Sequence, residues 1–171
     1  VAFQLSKVAI ALVVRVHSDR GSALRVVIEV QRRIESFGRL QPQQIEQVPF
    51  RLDLCADFWI PGGLSYEFLL AHKVTHNKKS NLFTVKDNME TYYLGNKKSP
   101  IQLRMYNKGA EVKQKGGLKL WFLELWKRES TEGVWRIEFE VKRPALKQFG
   151  INTLDDLKEK RAGLWLYLTS K

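Results

Sequence analysis

Between residues 101 and 106 apolar and polar positions alternate. Ile101, Leu103 and Met105 fall on one side of an extended chain, and Gln102, Arg104 and Tyr106 on the other. The same two-residue period recurs twice. In residues 49–58, Leu52, Leu54, Ala56 and Phe58 oppose Arg51, Asp53, Cys55 and Asp57. In residues 134–143, Trp135, Ile137, Phe139 and Val141 oppose Arg136, Glu138, Glu140 and Lys142. Each stretch predicts a strand with one face on a core and one toward solvent.

The remaining elements follow from period and punctuation. The Val- and Ile-rich residues 7–16 predict a buried strand. Residues 18–21 read as a turn, and Ser22 as the N-cap of a helix of about fifteen residues ending near Gly38. A polar loop with Pro42 follows, and residues 64–74 predict a short helix. Residues 81–86 and 90–94 predict a hairpin across Asp87-Asn88. A basic turn, Gly95-Asn96-Lys97-Lys98-Ser99-Pro100, leads into the tyrosine strand. Residues 113–119 form a basic loop, and the aromatic run 118–127 predicts a helix or a strand packed into the core. Residues 147–161 predict an amphipathic helix with Thr153 as N-cap and Asp156 three residues on, close to a capping box. The sum is an α+β domain: an antiparallel sheet of about five strands with helices packed on its apolar face.

Charge narrows the partners. Lys and Arg number 29 against 18 Asp and Glu, a net charge of +11 over 171 residues. Such an excess points to a polyanion, most often nucleic acid, with an anionic membrane surface as the other candidate. The apolar run 8–16 is interrupted by Arg15 and too short to span a bilayer, so no membrane anchor is expected. The single cysteine, Cys55, excludes an internal disulfide and suits a cytoplasmic location. His72 and His76 lack the glutamate of a zinc-protease helix and read as surface or phosphate-facing residues.

Within that frame the polar strand faces stand out. They carry Asp53 and Asp57, Arg104 and Tyr106, and Arg136, Glu138 and Glu140. If the three strands are neighbours, carboxylates converge near a tyrosine and need a cation to stay ionised together. Oxygen donors favour Mg²⁺ or Mn²⁺. The plain alternative is a wet sheet face laced with Arg–Glu pairs, each worth about 0–1 kcal/mol. A tyrosine beside a guanidinium in a basic chain is a nucleophile aimed at a phosphate, or simply a half-buried strand tyrosine. Lys97, Lys98 and Ser99, with free backbone N–H groups in their turn, are expected to hold a DNA phosphate.

Tyr93-Leu94-Gly95, then Ser99, then Arg104-Met105-Tyr106-Asn107-Lys108, then Glu111 resembles the signature of the replication initiation factor family. Its members start rolling-circle replication of plasmids and some phages, and relaxases of certain integrative conjugative elements are similar. The family pattern is an aromatic-x-Gly, a Ser, Arg-x-Tyr-Asp/Asn-Lys, and a Glu after two more residues. Two flanking blocks also match, Arg51 to Phe58 and Trp135 to Glu140, so the resemblance spans residues 49–143. The chain departs from the family in its short Asn96-Lys97-Lys98 turn. It also lacks the N- and C-terminal regions of complete members.

The resemblance implies an HUH-endonuclease-like DNA nickase. Tyr106 would attack a phosphodiester in single-stranded or extruded origin DNA, leaving a 5′-phosphotyrosine link and a free 3′-hydroxyl. Glu138 and Glu140 would bind Mg²⁺ or Mn²⁺, with Asp57 or Asp53 as third ligand. Arg104, Arg136 and Lys108 would contact the scissile phosphate or support the carboxylates, and Arg136, Lys142, Lys97, Lys98 and Ser99 would bind DNA. Tyr92 and Tyr93 are rival nucleophiles. The expectation is a single catalytic domain cut from a longer protein, with helicase contacts and homodimer formation in regions outside it. Two other classes remain: a water-using metal nuclease built on Glu140-Val141-Lys142 with Asp53 or Asp57, and a non-catalytic DNA-binding module.

Overall fold

The computed structural model describes residues 9–17, 23–28, 51–72, 75, 77–115 and 121–169, with the backbone alone described for 9–17 and 23–28. In chain order the elements are β1 (Ala9–His17), β2 (Ala23–Ile28), β3 (Arg51–Trp59), α1 (Tyr66–His72), β4 (Ser80–Val85), β5 (Asn88–Leu94) and β6 (Ile101–Asn107). They continue with α2 (Lys108–Gln114), α3 (Trp121–Trp126), β7 (Val134–Lys142), α4 (Arg143–Gln148) and α5 (Leu154–Thr169). The strands form one antiparallel sheet in the order β2-β1-β3-β7-β6-β5-β4. The α+β class is the one expected, and the sheet is wider than five strands because β2 and β1 extend it beyond β3.

That widening corrects one expectation. The helix starting at Ser22 is absent over Ala23–Ile28, which pair with β1 instead. Val26, Val27 and Ile28 are three consecutive β-branched residues, which lose χ1 freedom in a helix and suit a pleated surface. The rest of that expected helix, and His76, lie outside the described residues, as does the side chain of His72.

The apolar strand faces make the core. Leu52, Leu54, Ala56 and Phe58 from β3 and Ile137, Phe139 and Val141 from β7 pack against Ala145 and Leu146 of α4 and Leu154, Leu157 and Leu164 of α5. Thr153 caps α5 as expected: its Oγ1 accepts from Asp156 N at 3.1 Å while Asp156 Oδ2 accepts from Thr153 N at 2.8 Å. Beside this cluster, Leu69 of α1 packs with Met89, Tyr92 and Trp135. On the opposite face, Val112 of α2 and Phe122 and Trp126 of α3 pack against Val134. Val134 has the same parity as Arg136, Glu138 and Glu140, so α2 and α3 roof one end of the polar face. The β4–β5 hairpin turns through Lys86 and Asp87, both with positive φ (49° and 62°). This is the pairing of a type I′ turn, whose twist matches the flanking strands.

Candidate active site

The three polar stretches are neighbours, since β3, β7 and β6 are consecutive in the sheet. Register brings their side chains into rows, because directly opposed residues of antiparallel strands share a face. Asp57, Arg136 and Tyr106 make one row, Cys55, Glu138 and Arg104 the next, and Asp53, Glu140 and Gln102 the third.

At the centre lies Glu138, 5 % exposed. Arg104 Nη2 donates to its Oε1, and the Tyr106 hydroxyl donates to its Oε2 at 3.4 Å. The Arg104 guanidinium lies 4.8 Å from the centre of the Tyr106 ring, and Lys108 Nζ lies 5.7 Å from it. Both distances fall in the range of cation–π attraction. Tyr106 itself is half-buried. Burial pushes its phenol well above the usual tyrosine value. The Arg136 and Arg104 charges pull it down, and those of Glu138 and Glu111 push it up. At neutral pH the phenol therefore keeps its proton, and the carboxylate it faces is the group placed to take it. Burial works against the Arg104 charge, yet Glu138, Tyr106 and Tyr93 together hold its pKa above the ordinary arginine value.

Under the roof of α3 the row ends in a closed ion pair. Arg136 Nε and Nη2 donate to the two oxygens of Asp57 at 2.6 and 2.7 Å, and Trp126 Nε1 donates to Asp57 Oδ2 at 2.8 Å. Arg136 and Asp57 are both fully buried, at 0 % exposure. Burial opposes the Arg136 charge, and the Asp57 hydrogen bonds outweigh it, so its pKa stands well above that of a free arginine.

This arrangement revises several roles expected from sequence. Arg136 cannot touch DNA, because it is enclosed and committed to Asp57; it supports a carboxylate. Lys108 is likewise 1 % exposed and bonded to Glu111, so it lies beneath the phenol rather than at a phosphate. Ser99 N and Lys98 N are taken by Asn96 Oδ1 at 2.9 and 2.8 Å, so these two are not free to hold a phosphate. The side chains of Lys97 and Lys98 are exposed as expected. Lys142 bonds the Lys97 carbonyl and lies 3.4 Å from Glu140. Tyr92 is 2 % exposed, in the core on the opposite face, which removes it as a nucleophile.

The carboxylates divide as metal ligands. Asp57 does not fit, since both oxygens carry short charge-assisted bonds in a closed interior. Asp53 is 4 % exposed and paired with Arg51 at 3.0 Å. Among the described residues no group of three or more His, Cys, Asp or Glu side chains is placed to hold an ion. Glu138 is 5 % exposed and already bonded by Arg104 and Tyr106, which leaves Glu140 as the expected ligand that is open. Glu140 reaches solvent, and its contacts to Arg51 and Lys142 are long, at 3.6 and 3.4 Å. A single open carboxylate is compatible with Mg²⁺, which is commonly held by one or two such groups with substrate phosphates completing the shell. The water-using nuclease loses support in the same step: Glu140 and Lys142 adjoin, but Asp53 and Asp57 are both engaged elsewhere.

Sequence reading missed Trp126 and Phe122 as parts of this site. The available signal was Val134, an apolar residue on the polar side of its strand, which calls for an apolar cover.

Among the described residues no helix is long and apolar enough to cross a membrane. No family model matches the chain, and neither does any curated protein. Among solved structures it is similar to a rolling circle replication initiator protein from Geobacillus stearothermophilus. The TM-score is 0.36 and the identity 18 %, over 57 % of this chain and 35 % of that one. The chain thus spans about a third of the length of that protein.

Proposed function

We propose that this domain nicks one strand of DNA and holds it through Tyr106, the chemistry that begins rolling-circle replication or conjugative transfer. The reading rests on the site and on the motif around Tyr106. The observation that carries it is the Tyr106 hydroxyl 3.4 Å from Glu138 Oε2, with Arg104 fixed on the other oxygen. A general base must lie within hydrogen-bond reach of the proton it takes, and such bonds are often long before substrate binds.

In the proposed step Tyr106 Oη attacks phosphorus and its proton passes to Glu138. The Oη–P bond forms, the P–O3′ bond breaks, and the 3′-oxygen departs with the bonding pair and takes a proton from water to become the free hydroxyl. The 5′-phosphotyrosine retains the phosphoester, so the strand can be rejoined without ATP. Arg104, which is partly exposed, contacts the phosphate while holding Glu138 in place. When bound, Mg²⁺ or Mn²⁺ would add Lewis-acid polarisation of the phosphate, and Glu140 would hold it. Lys97, Lys98 and Lys142 contribute positive charge along the approach.

The test is a search for the covalent product. End-labelled single strands and hairpins are incubated with the protein and Mn²⁺, or with a chelator, and run on a denaturing gel. A band retarded by the mass of the protein supports the nickase. Free cleaved strand without an adduct supports the water mechanism, and salt-sensitive binding with neither product supports a binding module. Glu138→Gln keeps the shape of the side chain and removes its basicity. Adduct formation should fall by about 10²–10⁴, the usual worth of a positioned base, with DNA binding retained. Wild-type rates in Glu138→Gln would take this carboxylate out of the proton transfer.

A further inference from the structure

We propose that Phe83 and Tyr93 form a stacking platform for bases of the single strand held at Tyr106, an assignment that rests on the nicking reading for the identity of its ligand. Register places Phe83 opposite Thr91, and Thr91 opposite Tyr106. Asn81, Tyr93 and Arg104 make the adjoining row. Both aromatics therefore stand on the same face as the phenol and Glu138. Neighbouring strands lie about 4.8 Å apart, so Phe83, two strands away, is on the order of 10 Å from Tyr106, within reach of a short single strand.

The platform is open and built. Phe83 is 55 % exposed, on the edge strand of the sheet. Its ring meets Tyr93 edge-on, with centroids 5.9 Å apart at 78°. Tyr93 stands directly opposite Arg104 in the β5–β6 register, which sets the aromatic pair beside the residue holding Glu138. An exposed apolar ring beside a basic catalytic face matches the way single strands are gripped, with bases on aromatics and phosphates on cations.

Charge selects the occupant. Lys78 and Lys79 precede β4 and Lys86 follows it, all exposed, and Lys97 and Lys98 project from the nearby turn. A polyanion gains from these lysines. A second copy on this patch would bring its own lysines against these, and like charges repel.

The experiment measures binding, so it needs no cleavage. In a Tyr106→Phe background, fluorescence anisotropy at fixed salt compares an oligothymidylate of about twelve nucleotides with an abasic strand of equal length. Phe83→Ala should weaken oligothymidylate binding about tenfold and leave abasic binding unchanged, and Phe83→Trp should restore it. Equal loss on both strands, or no loss on either, overturns the platform. A wild-type dimer in sedimentation that Phe83→Ala dissolves also overturns it, assigning the patch to a second copy. If Tyr106 forms no adduct yet base-dependent binding persists, the nicking reading fails and the platform stands.

Discussion

Tyr106→Phe should abolish the covalent protein–DNA adduct while the protein stays folded and still binds DNA. The substitution removes one oxygen. The ring keeps its place beside Arg104 and Lys108, whose attraction is to the aromatic face. The hydrogen bond lost is long, 3.4 Å, and its net contribution to stability is about 1 kcal/mol or less. Thermal unfolding should therefore move by only a few degrees, whereas the gel band should fall to background. An adduct of wild-type intensity in Tyr106→Phe would remove this residue as nucleophile. The structure leaves Tyr93 as the next to test, since it shares the polar face and Tyr92 does not.

The acidity of the phenol adds a signature in pH. Burial raises the Tyr106 pKa above its ordinary value, so the phenolate fraction is small at neutral pH and grows about tenfold per unit as pH rises toward that pKa. In the proposed step the Glu138 carboxylate takes the proton, so this climb would not be required. In Glu138→Gln the residual reaction depends on free phenolate. Its rate should keep rising through pH about 10, where an ordinary tyrosine would level off. Levelling below that value would mean that the phenol is not held back by burial as the site geometry implies.

Much of this site was legible before folding, because a strand's period is two. Once Leu52, Leu54, Phe58, Ile137 and Phe139 are assigned to the core, Asp57, Arg136, Glu138, Arg104 and Tyr106 must share the other face. Antiparallel pairing of β3, β7 and β6 then brings them into rows. Alternation identifies a face, however, and not what covers it. Arg136 and Asp57 look like wet-face residues until Phe122 and Trp126, far along the chain from β3, close over them. Lys108 is expected from sequence at the scissile phosphate or beside the carboxylates, and the same cover leaves it enclosed and bonded to Glu111. β2 shows the opposite failure, whereas β1 is legible from its Val- and Ile-rich run. A helical stripe can be drawn through residues 22–38, but the β-branched run Val26-Val27-Ile28 and the open edge of β1 decide for pairing over Ala23–Ile28.

The closed ion pair supplies the second large effect. Asp57→Ala would leave Arg136 as an uncompensated charge in a site with 0 % exposure, and the Trp126 Nε1–H without its acceptor. Removing one partner of a buried pair typically costs about 3–5 kcal/mol. For a domain of this size that lowers the unfolding midpoint by roughly 6–20 °C, read by calorimetry or by circular dichroism against temperature. Replacing both partners with apolar residues, as in Asp57→Leu with Arg136→Met, removes the stranded charge. This should recover most of the lost stability, since such exchanges are often neutral or better. The double variant then separates support from chemistry. Arg136 faces Tyr106 across the strand pair, and its positive charge opposes the burial that raises the phenol's pKa. A double variant that melts near wild type yet forms the adduct more slowly would show that this enclosed guanidinium serves the nucleophile as well as the fold. Full adduct rates in that variant would confine the Arg136–Asp57 pair to stability.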